Sequence, residues 1–389
     1  MTSTEPIKVV VVGGSYAGIT VIKTLLAANH KNIQITLIER SDARHHMLGA
    51  FRALVDEQYG NNIWLPYTNL FPKNSPHKII QGKLTEVHLN HIVLASGETI
   101  TFNYLAICTG SSNPAPAKFN VESSSEAVAI TNRTRADLKK SKNIVVVGGG
   151  ACGVELVGEI KTAFPDKKVT LIHASSKLVD YPGFSDGFKS ATLTHLKGLG
   201  VDVVLDERVV IEGLDRHNAV QVAPRTIRTQ AGLIESDMQF FSVGIEVDTS
   251  YISTLKPAGT APFDPKSIVN EGTNTIKVRK TMQLVDFDHI FAVGDCSDFS
   301  KVPTGSAISF AGPSAGKNIL ALINAEEKHK PAKLTNGFVP PNMMMLTTGP
   351  TTGVFSAAFL GSWFSNFFSK VVKSKDLMIG MAKSDMNIK

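Results

Sequence analysis

Cysteine is scarce: three of 389 residues, Cys108, Cys152 and Cys296. The number is odd and no C-x-x-C pair occurs, which argues against a disulfide framework and against a redox dithiol. A reducing compartment is the simplest reading, with the cysteines as small core residues. Charge of one sign is also missing as a run. The net charge is +6 and the pI about 9.0, but the lysines and arginines are scattered. A nucleic-acid binder concentrates them on one face, so nucleic acid is not an expected partner. No uninterrupted apolar stretch reaches the ~18–20 residues of a spanning helix. The opening "MTSTEPIKVV" has neither a basic n-region nor an apolar h-region, and it is not Arg-rich. Thr2 stands where N-myristoylation needs glycine. The expected location is therefore cytoplasmic. Metal-ligand spacing is absent as well: the paired His45 and His46 lack convincing partners.

What is present is a repeat. "IKVVVVGGSYAG" from Ile7 and "NIVVVGGGACG" from Asn143 are β-branched runs entering a glycine turn. A helical pattern follows each, "ITVIKTLLAAN" and "VELVGEIKTAF", and then a strand, "ITLIERS" and "VTLIHAS". Each copy reads as a β-α-β unit of about 30 residues. In this element the first glycine makes the turn, the second admits a pyrophosphate and the third lets helix and strand pack. The anion then rests on the helix N-terminus. The second copy has Gly148, Gly150 and Gly153, and the first has Gly13, Ser15 and Gly18.

The two copies differ where the second strand ends. A carboxylate about 20 residues past the glycines bonds a ribose diol, and Glu39 stands there in the first copy. That site should hold an unphosphorylated adenosine ribose, as in FAD or NAD. The second copy has His173, followed by Ser175 and Lys177. No acid repels a 2′-phosphate there, so NADPH is expected as well as NADH. One fold element is thus written twice for two dinucleotides.

Two further strands end in small polar turns: "YLAICTGSS" in Thr109-Gly110 and "HIFAVGDCSD" in Gly294-Asp295. In this order along the chain, with "FFSVGIEVDTSYI" between them, the sequence resembles the FAD-dependent pyridine-nucleotide reductases. It is most similar to the apoptosis-inducing-factor-like, ferroptosis-suppressor (AMID-type) quinone reductases, from about residue 7 to about 378. "VVVGGGACGVELVGEIKTAFPDKKVTLIHAS", "GPTTGVF" and "VKSKDLMI" carry that likeness.

The resemblance implies an α/β fold of two Rossmann-like domains, the second inserted in the first, plus a small C-terminal α+β domain. The expected bounds are 1–115 and 271–333 for FAD, 116–270 for NAD(P)H and 334–389 for the last domain. It implies hydride transfer from NAD(P)H to FAD and onward to a quinone. Glu155 then lies beside the nicotinamide–flavin contact and Lys373 near the active site. The FAD positions implied are Gly13, Gly14, Ser15, Tyr16, Ala17 and Gly18, then Glu39, Arg40 and Arg52, then Thr109, Gly110 and Asp295. The nicotinamide-dinucleotide positions are Gly148, Gly150, Gly153, His173, Ser175 and Gly244. The alternatives are a reductase for a protein acceptor and a redox sensor with nucleic-acid binding.

Two departures stand out. Pro313 falls inside "SFAGPSAGKNILALIN", where the family has an unbroken helix, and is expected to start or kink one. In "GSWFSNFFSKVVKSK", Trp363, Phe364, Phe367, Phe368, Val371 and Val372 recur at three- and four-residue steps. That spacing predicts an amphipathic helix, with Lys370, Lys373 and Lys375 at its end. Such a helix would either bury its aromatics on the flavin domain or rest on a membrane or lipid-droplet surface. Ahead of it, "NMMMLTTG" and "TTGVFS" read as strands.

Overall fold

The computed structural model describes residues 5–259, 263–300, 305–357, 361–363, 373 and 375–388. Two five-stranded sheets form its frame. The first takes its strands in the order Ile290–Ala292, Tyr104–Ile107, Ile7–Val12, Ile33–Glu39, Lys78–Gln81, all parallel. The second runs Asp202–Val204, Lys168–Ile172, Asn143–Val147, Gly232–Phe241, Val220–Thr229, and only its last pair is antiparallel.

A strand covered on both faces must be apolar throughout. Val9, Val10, Val11 and Val12 are all buried, as are Ile144, Val145 and Val146. Each glycine turn sits where the chain crosses from one side of its sheet to the other. After Ile7–Val12 the chain adds Ile33–Glu39 on one flank and later Tyr104–Ile107 on the other. Crevices at such switch points hold ligands in open α/β sheets.

The helix Tyr16–Ala27 packs on the first sheet through Ile19, Val21, Ile22 and Leu25. A second helix, Gly305–Glu327, lies along it and continues through Pro313. Of the two expectations for Pro313, a helix start is corrected, because the helix already begins at Gly305. The lost N–H is tolerated on a helix held by its neighbour: added carbons at Gly312 and Gly316 would meet Thr20 Oγ1 at 1.9 Å and Thr24 Cβ at 2.8 Å. Backbones that close make a rigid seam.

The last part of the chain forms a three-stranded antiparallel sheet, Met343–Thr347, Gly353–Ala357 and Gly361–Trp363. Trp363 therefore lies in a strand paired opposite Phe355, not in a helix. The remaining aromatic positions of the expected amphipathic helix fall outside the described residues. This sheet leans on the second nucleotide-binding half: Thr162 Oγ1 donates to the Thr348 carbonyl at 2.6 Å. The chain then returns to the first half through a short helix, Ile379–Asp385. There Ala382 and Met386 join the first core, and Lys23 pairs with Asp385 at 2.6 Å. No described helix is long and apolar enough to cross a membrane.

Candidate active site

The two glycine elbows match bond for bond. Gly13 N–H donates to the Ile38 carbonyl and Gly148 N–H to the Ile172 carbonyl, both at 2.8 Å. Gly13 has φ +103° and Gly148 φ +115°, a region that favours glycine. At Gly18 an added carbon would lie 1.8 Å from the Gly13 carbonyl oxygen. At Gly153 it would lie 1.8 Å from that of Gly148. The third glycine of each copy is thus required by contact with the first.

The residue ending each second strand also does the same work in both. Gly14 N–H donates to Glu39 Oε2 at 2.5 Å. Gly149 N–H donates to His173 Nδ1 at 3.0 Å. Accepting at Nδ1 requires that nitrogen to be unprotonated, and burial lowers the His173 pKa from its ordinary value. A neutral ring then carries its proton on Nε2, a donor facing away from the elbow. Lys177, the other expected phosphate partner, pairs with Asp186 at 2.9 Å. The Ser175 carbonyl accepts from Asp206 N–H at 3.2 Å.

In the first half the ribose-facing end is left with acceptors. Glu39 Oε1 holds Ser41 N–H at 3.1 Å, and Ser41 Oγ is buried without a hydrogen-bond partner. A carboxylate and an orphaned hydroxyl beside one another fit a ribose diol, the end of FAD this strand would hold. Ser15 caps the helix with no side-chain bond of its own, leaving its hydroxyl for a diphosphate. Tyr16 turns inward: its hydroxyl meets His46 Nδ1 at 3.1 Å and Arg44 lies over its ring. Ala17 is buried, 3.1 Å from where a carbon on Gly294 would stand. Arg40 bonds the Phe119 carbonyl at 3.2 Å and Asn120 Oδ1. The Thr109 hydroxyl meets that of Tyr251 at 2.7 Å, and Gly110 turns the chain with φ +68°.

His46 finds the partners that the sequence did not show. Its Nε2 donates to the Leu377 carbonyl at 2.8 Å, tying the C-terminal segment to the first half. Burial pulls its pKa down to about 4. His45 stacks on Trp64 at 4.5 Å. Among the described residues no group of three or more metal-ligating side chains converges.

Glu155 and Lys373, far apart in sequence, meet: Lys373 Nζ lies 2.9 Å from Glu155 Oε1. Lys373 also donates to the Met345 carbonyl at 2.9 Å, and Glu155 accepts from Thr347 N–H and Oγ1 at 3.0 Å each. The last sheet therefore clamps the pair onto the second half.

Lys118 is a site residue that sequence reasoning missed. Its Nζ donates to the Ser111 carbonyl at 2.7 Å and lies 3.9 Å from Asp295 Oδ2, which itself accepts from Ser111 Oγ at 2.7 Å. Burial lowers the Lys118 pKa and Asp295 opposes that. Only the lysine in "PAPAKFN" hinted at it, and a loop lysine carries no pattern. Cys152 lies at the start of the helix Ala151–Ala163. Its thiol is pushed up to about 11 by burial first and by Glu155 second, while Lys118 and Lys373 pull the other way. All three ionic side chains are thus within electrostatic reach of one sulfur.

Arg52, an expected cofactor position, takes part in the junction between the lobes. Its Nε and Nη2 grip Glu159 at 2.6 and 2.7 Å, with both side chains buried. The helix Ala50–Val55 is thereby bolted to Ala151–Ala163. Gly244, φ +75°, gives its carbonyl to Arg216, whose Nε also pairs with Glu246 at 2.9 Å. That segment sits beside the Ser112–Glu246 bridge joining the halves.

Twin elbows, each with an acceptor at the end of its second strand, define a two-dinucleotide oxidoreductase. The chain belongs to the pyridine nucleotide-disulphide oxidoreductase family, whose pattern it matches over residues 7–311. It works with FAD and NAD(P)H. It is 31% identical to apoptosis-inducing factor homolog B of Dictyostelium discoideum, over 100% of this chain and 98% of that one. It is also 31% identical to ferroptosis suppressor protein 1 of Taeniopygia guttata, over 96% and 94%. The sulfide:quinone oxidoreductase of Aquifex aeolicus shares the fold, with TM-score 0.69 and 17% identity over 98% of this chain and 92% of that one. Despite the family's name, the three cysteines here are free thiols, and burial raises the pKa of each.

Proposed function

We propose that the protein takes hydride from NADH or NADPH onto FAD and passes the electrons to a quinone-like small acceptor. The carrying observation is the Lys373–Glu155 pair at 2.9 Å, held by the last sheet against the helix that opens at the second elbow. When bound, FAD accepts hydride from reduced nicotinamide and yields two electrons to an acceptor. Residues 1–115 and 271–333 are the parts that hold it, and residues 116–270 hold the nicotinamide dinucleotide.

In this reading the N–H groups at the start of Tyr16–Ala27 and Ala151–Ala163 receive the two diphosphates. Glu39 orients one ribose and His173 the other. Asp295 and Ser111 hold the sugar-like chain of FAD, and Lys118 sets a positive charge beside them. Lys373, kept in place by Glu155 and the Met345 carbonyl, offers a proton and a cation to an oxygen that gains negative charge. Such placed charges are worth most where water is excluded. The three cysteines are unpaired, two of them buried, and no C-x-x-C pair occurs, which favours a quinone over a disulfide acceptor.

The test is anaerobic reoxidation of the reduced flavoprotein with a panel of soluble quinones and a ferredoxin-type acceptor. Quinones should reoxidise it fastest, and Lys373→Met should slow that step by roughly 100-fold, the usual worth of an oxyanion-stabilising group. Reoxidation by quinones no faster than in an acceptor-free control would contradict the proposal.

A further inference from the structure

The loop after strand Lys168–Ile172 folds back across the second elbow as a strap. Val179 N–H donates to the Gly149 carbonyl at 2.9 Å, and Tyr181 N–H turns back to the Val179 carbonyl at 2.7 Å. Val179 has φ +46°, a position that β-branched residues rarely adopt. It is fully buried, so packing holds it there. Two side ties fix the strap's ends: Lys189 with Asp180 at 2.5 Å, and Asn342 Nδ2 with the Pro182 carbonyl at 3.2 Å.

The strap delivers one hydroxyl to the mouth of the helix. Tyr181 Oη accepts from Ala151 N–H at 3.2 Å. It also stands 2.8 Å from where a side-chain carbon on Gly150 would be. Ala151 is the first residue of the helix Ala151–Ala163, and the glycine before it is the one that admits a diphosphate. Tyr181 Oη is thus an acceptor on the N–H that a phosphate oxygen would use, in the space left open by Gly150. In the first elbow, among the described residues, no side chain accepts from the equivalent Tyr16 N–H.

We propose that Tyr181 is a gate on the second elbow: its hydroxyl competes with the diphosphate of the nicotinamide dinucleotide for the Ala151 N–H and must swing aside for binding. This rests on the second elbow being the nicotinamide-dinucleotide site. The gate tunes affinity at the phosphates and is blind to the adenosine end. Tyr181 is a positioning residue: its ring lies at the edge of the second core, only partly buried, and swings together with the hydroxyl it carries.

The experiment titrates FAD-loaded wild type and Tyr181→Phe with NAD+, ADP and adenosine in a calorimeter. Phenylalanine keeps the ring and removes the competitor. NAD+ and ADP should bind about threefold to tenfold more tightly, the worth of one ordinary hydrogen bond, with adenosine unchanged. The KM for NADH should fall by the same factor. Tyr181→Phe protein that retains FAD but binds NAD+ equally or more weakly overturns the gate alone. Wild type that binds neither NAD+ nor ADP overturns the site and the gate with it.

Discussion

The first and second elbows share their backbone and differ in what surrounds it. Gly13 and Gly18 repeat at Gly148 and Gly153 with the same contacts, and the ends of the following strands, Glu39 and His173, accept the same elbow N–H. The first elbow is closed by rigid elements. The Tyr67 hydroxyl donates to the Gly14 carbonyl at 2.9 Å, and the helix Gly305–Glu327 is welded along Tyr16–Ala27. The second is closed by a loop whose Tyr181 sits on the helix mouth. The difference fits a resident cofactor in one and an exchanging co-substrate in the other: a group that stays needs a fixed wall, and one that leaves needs a movable one.

The largest expected effect comes from breaking one elbow only. In Gly18→Ala the new carbon strikes backbone, the Gly13 carbonyl. Overpacking costs about 1–3 kcal/mol where side chains can yield, and here the struck atom has no rotamer to change. Gly18→Ala should purify without flavin absorbance while still binding NAD+. Flavin content equal to wild type would show that the elbows are not divided as described.

Next in size is the bolt between the halves. Arg52→Ala leaves Glu159 buried without its partner, and burial already raises that carboxyl's pKa. Removing one member of a buried pair costs about 3–5 kcal/mol, so denaturant melts should show a loss of that order. A change under about 1 kcal/mol would mean that water reaches Glu159 and that the junction is not dry.

The smallest effect concerns the ribose end. His173→Glu makes the second copy read like the first. The added carboxylate should repel a 2′-phosphate and lower kcat/KM for NADPH relative to NADH by about tenfold, or roughly 1.4 kcal/mol. An unchanged ratio would place the 2′-position beyond the reach of residue 173.

Much of this frame was legible because it is local. A β-branched run, a glycine turn and an apolar-faced helix are written consecutively, and Glu39, Thr109 and Asp295 follow at strand ends. What was not legible depends on contacts distant in sequence. The Arg52–Glu159 pair spans 107 residues, so no local pattern announces it. Lys118 and Tyr181 lie in loops whose composition carries no period. Trp363 began a run of aromatics at helical steps, yet it pairs as a strand, because the neighbouring Gly353–Ala357 offers an open edge to fill. Pro313 suggested a start or a kink, and the helix begins earlier, at Gly305, held against its neighbour.

The most direct measurement is flavin bleaching without oxygen, in rapid mixing of NADH or NADPH with wild type and with Gly153→Ala. The account predicts that wild type loses its yellow colour and that Gly153→Ala keeps FAD bound but stays yellow. Bleaching in Gly153→Ala at the wild-type rate, or none in wild type with either nucleotide, would contradict it.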